Sequence, residues 1–76
     1  MCKSVEECKS IAKSLVASGV TAVYNDATDA VDICKQGVVV KSIHEYVGDV
    51  YHHTTSEGML ATLMYDTMLS PEDMGL

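Results

Sequence analysis

The stretch VTAVYNDATDAVDICKQGVVVK, residues 20–41, supports two readings that lead to different folds. In the first, Val23, Ala27, Ala30, Val31 and Cys34 recur with helical spacing, Asp26, Asp29 and Asp32 point outward, and Gly37 caps the C-terminus. In the second, β-branched residues make two short strands near 20–24 and 38–41, and Asn25 or Asp26 caps a later helix. The helical period favours an all-α fold, with a small α+β arrangement as the alternative.

The flanking sequence carries three helix-start signals. Ser4-Val5-Glu6-Glu7 is a capping box, in which a hydroxyl accepts from a free backbone amide and a carboxylate returns the bond. Val5, Cys8, Ile11, Ala12, Leu15 and Val16 follow as an apolar stripe, with Glu6, Lys9 and Lys13 on the opposite face and Ser18-Gly19 as a stop. Ser42-Ile43-His44-Glu45 is a second box, leading into Ile43, Tyr46, Val47, Val50 and Tyr51; Gly48 within that segment costs about 1 kcal/mol relative to Ala. Thr54-Thr55-Ser56-Glu57 is a third, and Ser70-Pro71-Glu72-Asp73 predicts one last short turn. The expectation is a single small domain, residues 1–76, folded as a compact three- to four-helix bundle with helices near 4–18, 21–36, 42–53 and 56–69.

Composition narrows the functional classes. A chain of 76 residues hides only roughly 60% of its unfolded surface. Yet 47% of its residues are apolar, drawn from Val, Ala, Leu and Met with no Phe or Trp, so self-association is a natural outlet. Net charge is −6, and all of the imbalance falls in residues 42–76, which hold six carboxylates and no Lys. That half repels a phosphate backbone, and the absence of Arg removes the side chain best suited to bidentate phosphate or guanine recognition. Direct nucleic-acid binding is not expected. No apolar run approaches the ~18 residues of a membrane span, and three unpaired-looking cysteines without a signal peptide suggest a reducing, cytoplasmic setting.

Residues 42–58, SIHEYVGDVYHHTTSEG, hold all three histidines. His44-Glu45 begins like the H-E-x-x-H zinc motif, but the second His position is Gly48. Glu45, Asp49 and His53 lie at i, i+4 and i+8 on one expected helical face, with Glu57 near the next helix start, a set able to hold zinc, manganese or iron. The simpler reading is an acidic solvated face, with His52 and His53 in a last helical turn that suits a cation. Those histidines could also sense pH, since imidazole titrates near neutrality. Cys8 and Cys34 sit on apolar stripes and read as small buried hydrophobes rather than nucleophiles. No phosphate loop, nucleophile elbow or C-x-x-C motif occurs, and the Asp26, Asp29, Asp32 series lacks the Gly and Glu of a calcium loop. No catalytic residue, metal or cofactor is assigned.

Met59, Leu60, Ala61, Leu63, Met64, Tyr65, Met68 and Leu69 cover more than half of the last helix, which should therefore be buried on two sides. A second copy could cover the second side, making Met59, Leu60, Leu63, Met64 and Met68 an oligomer interface; the alternative is a helix central in the chain's own core. The functional expectation is a non-enzymatic acidic helical protein that docks on a basic or apolar patch of a partner protein through Glu45, Asp49, His53, Glu57 and Asp66. It would act as a small inhibitor or adaptor, of the kind phages use against host or defence proteins. Two alternatives are a transition-metal protein built on Glu45, Asp49 and His53, and an oligomer that sequesters a small ligand against Tyr46, Tyr51 or Tyr65.

Overall fold

The computed structural model describes residues 4–44 and 55–76. Its element order is α1 (Val5–Ala17), β1 (Val20–Asn25), β2 (Ala30–Lys35), β3 (Val38–Ile43) and α2 (Ser56–Asp66), followed by a 3-10 turn at Glu72–Met74. The three strands form one antiparallel sheet in the order β1-β2-β3. The fold is α+β, which overturns the all-α bundle expected from the sequence.

Residues 21–36, expected as a helix, fold instead as most of the β1–β2 hairpin. Along β1 the period is two: Val20 and Ala22 are buried while Thr21 and Val23 are exposed. Two tight connections make the meander possible. In the first, the Asn25 side chain accepts from the Ala27 N–H at 3.1 Å, the Tyr24 hydroxyl donates to Asp29 at 2.5 Å, and Asp29 takes a positive φ of 53°. In the second, Gln36 and Gly37 both have positive φ, 53° and 83°, the pattern of the two-residue turn whose twist matches that of antiparallel strands. Gly37 thus closes a hairpin where the helical reading made it a cap. The expected helix at 42–53 also yields at its start, because Ser42 and Ile43 complete β3; residues 45–53 lie outside the described residues.

The capping chemistry is local and operates in either fold. Ser4 Oγ accepts from the Glu7 N–H at 3.1 Å at the start of α1, and Thr55 Oγ1 accepts from the Gly58 N–H at 3.1 Å at the start of α2. Beyond α2, Met68 adopts a left-handed φ of 59°, and the Leu69 N–H donates to the Leu63 carbonyl at 3.3 Å.

Packing is in two layers. The inner sheet face contributes Val20, Ala22, Val31, Ile33 and Ile43 to a core shared with Cys8 and Ala12 of α1, Met59, Leu60, Ala61, Leu63 and Met64 of α2, and Met74. Helix α2 packs against α1 on one side and β1 on the other. Ser56 fastens this arrangement: its hydroxyl accepts from the Ala22 N–H at 3.1 Å and donates to the Ala22 carbonyl at 3.3 Å, closing the outer edge of β1 at that residue. Among the described residues, no helix is long and apolar enough to cross a membrane.

Two substitutions test this assembly. Leu63→Ala opens a cavity in the fully buried core and should cost about 2–5 kcal/mol. Ser56→Ala leaves a strand amide without its partner and should cost about 1–3 kcal/mol. Urea denaturation measures both, and a loss below 0.5 kcal/mol (approximately the surface norm) for Leu63→Ala would be incompatible with the packing described.

Candidate functional site

The expected partner-binding residues do not form one described surface. Glu45, Asp49 and His53 lie outside the described residues. Glu57 and Asp66 are both exposed, but they occupy opposite ends of α2, roughly 13 Å apart along the helix axis at 1.5 Å per residue. Tyr46 and Tyr51 also lie outside the described residues, whereas Tyr65 is half-buried, with its hydroxyl 3.3 Å from Thr62 Oγ1.

Of the five residues expected at an oligomer interface, Met59, Leu60, Leu63 and Met64 are buried within a single chain, at 8% exposure or less. They pack the space between α1 and β1. Only Met68, at 60%, faces outward. The width of the apolar surface on α2 is accounted for by two covering layers from the same chain.

Cys8 is fully buried and disulfide-bonded, which removes it as a thiol nucleophile; Cys34 is not bonded and is half-buried on β2. Among the described residues, no group of three or more His, Cys, Asp and Glu side chains could hold a metal ion. The acidic series divides: Asp26 and Asp29 fall in the first turn, while Asp32 lies on β2 and accepts from the Ser42 hydroxyl at 2.8 Å.

What the sequence reading passed over is the sheet's outer face. Antiparallel partners share a face, so the register aligns Thr21, Cys34 and Val39 in one cross-strand row, and Val23, Asp32 and Ser42 in the next. Val23 is 56% exposed and Val39 55%. Beside them Val38 and Val40 are also open, so four of the large hydrophobic residues left at the surface belong to the sheet. The alternation of Thr21, Ala22 and Val23 was a usable signal, since a strand with both valine and threonine on its outward side need not be covered.

The comparisons with known proteins leave this geometry to stand alone: no family model, no curated protein and no solved structure matches the chain.

The electrostatics of the C-terminal turn serve its structure. Asp73 accepts from the Ser70 N–H and hydroxyl, each at 3.0 Å, and donates its own N–H back to Ser70 Oγ at 3.3 Å. The backbone bond first, and the hydroxyl bond second, hold the Asp73 carboxyl below its ordinary pKa, with a smaller contribution from the charge of Lys41. A carboxylate whose pKa is depressed by folding stabilises above its unfolded value, and that contribution disappears as pH falls through the folded value. The difference in urea midpoint between the native chain and Asp73→Asn should therefore be constant from about pH 7 to pH 5 and shrink below about pH 4. A difference that persists undiminished to about pH 2 would contradict this assignment.

Proposed function

We propose that the chain is a non-enzymatic binding protein, an inhibitor or adaptor, that docks on a partner protein through the outer face of its sheet. The observation that carries this reading is the pair of solvent-open valines, Val23 and Val39, on a face that α1 and α2 leave uncovered among the described residues. Exposed apolar surface on a chain this small is costly unless a partner covers it. Asp32 lies in the Val23 row, and Asp26 and Asp29 follow in the adjoining turn, so the complementary surface is an apolar patch flanked by basic residues. This retains the expected partner chemistry and moves the contact from the histidine stretch to the sheet.

The test uses tagged chain as bait for partner capture, comparing the native protein with Val23→Lys. Val23 is more than half exposed, so the variant should keep its far-ultraviolet circular dichroism and melting temperature. A partner held by the native chain should be retained about tenfold less by the variant, the effect of losing roughly 1.4 kcal/mol at one interface residue. Identical retention by the two proteins would refute the sheet face as the docking surface.

A further inference from the structure

We infer that Ser70–Leu76 forms a strap over the β3 side of the core, and that this strap opens as a unit of its own while the helices and the sheet stay folded. The two helices pack chiefly on each other and on β1, whereas β3 meets β2 and the 3-10 turn. The core is therefore closed by unequal covers. Helix α2 buries every residue from Met59 to Met64; the turn buries Met74 alone.

Hydrogen bonding draws the boundary of the strap. The Met74 N–H donates to the carbonyls of Ser70 and Pro71 at 3.3 and 3.1 Å, the Gly75 N–H to that of Glu72 at 3.1 Å, and the Leu76 N–H to that of Pro71 at 3.0 Å. Ser70 and Asp73 bond each other through backbone and side chain. All of these bonds close within residues 70–76, so the strap can lift with them intact. Just before it, the Leu69 N–H donates to the Leu63 carbonyl at 3.3 Å, which ties the chain to α2 and sets the pivot between Leu69 and Ser70.

Packing holds the strap down. Met74 is fully buried and Leu76 rests partly buried against the core. Gly75 lies so close to β3 that an added Cβ would stand 3.3 Å from the Val40 carbonyl and 3.4 Å from Lys41 Cβ. The Lys41 charge acts on the Asp73 carboxylate from the same strand. One buried side chain is a small hold beside that of α2, and elements held this way open below the free energy of global unfolding. Lifting the strap uncovers the Val40 carbonyl and the space that Met74 fills, so part of the interior becomes reachable without melting a helix.

Dilute hydrogen peroxide, which converts an accessible thioether to a sulfoxide, reads this opening. Met64 and Met74 are equally hidden, at 2% and 0% exposure, and Met68 at 60% is an internal standard. A strap that never opened would spare Met64 and Met74 alike. With local opening, Met74 should oxidise at least about tenfold faster than Met64 in the native chain. Its hydrogen exchange should agree, the amides of Met74, Gly75 and Leu76 exchanging faster than those of Leu63 and Met64 and with little dependence on low urea. Gly75→Val places a β-branched side chain at a φ of 80° against the Val40 carbonyl, and should raise Met74 oxidation toward that of Met68 while Met64 stays protected and far-ultraviolet circular dichroism is unchanged. Val23→Lys, on the sheet's outer face, should leave both rates as they are. Equal oxidation of Met74 and Met64 in the native chain, strap amides that exchange no faster than those of α2, or loss of Met64 protection together with Met74 in Gly75→Val would each overturn the inference.

Discussion

The structure depends on a helix with no free side. From Met59 to Met64 every residue of α2 is buried, including Thr62. A helix can be covered all round only by two layers, and a chain of this size must supply both. Helix α1 provides one, with Cys8 and Ala12 small enough to allow close approach. The other must be broad and apolar on a single face, which is what a three-stranded meander offers and a third helix of alternating Val and Asp would not. The sheet is in this sense a requirement of α2.

This explains which parts of the fold were legible in sequence. Ser4 and Thr55 announce helices through hydrogen bonds made within one turn, and such signals do not depend on the rest of the chain. Residues 20–43 are different because their local pattern is ambiguous. Val23, Ala27, Ala30, Val31 and Cys34 do recur with a helical period, yet Ala27 sits in a turn and Val23 and Cys34 lie on the outward face. Gly37 serves equally well as a helix cap or a hairpin residue. The decision came from tertiary burial, which overrides local propensity and is invisible in a window of ten residues.

The candidate site was harder to read for a related reason. Met-rich surface on α2 suggested an interface, but the width of an apolar helix does not say which molecule covers it. The valines of the sheet gave the weaker signal, since exposed and buried strand valines look alike in sequence. Once the register is known, their difference follows from parity along β1, where Val20 and Ala22 face the helices and Val23 does not, whereas on β3 only Ile43 is buried.

The position of α2 in chain order also has a kinetic side. The β1–β2–β3 meander is built from neighbouring segments and short turns, so its contacts can form early. Its apolar face, however, is covered largely by a helix that begins 13 residues after β3 ends, and α1 packs mainly against the same helix. During synthesis, a preformed sheet with both faces open would precede the element that shields it. For this chain the period of greatest aggregation hazard is therefore the interval between translation of Ile43 and of Asp66, and the speed of the ribosome across that span becomes part of its folding.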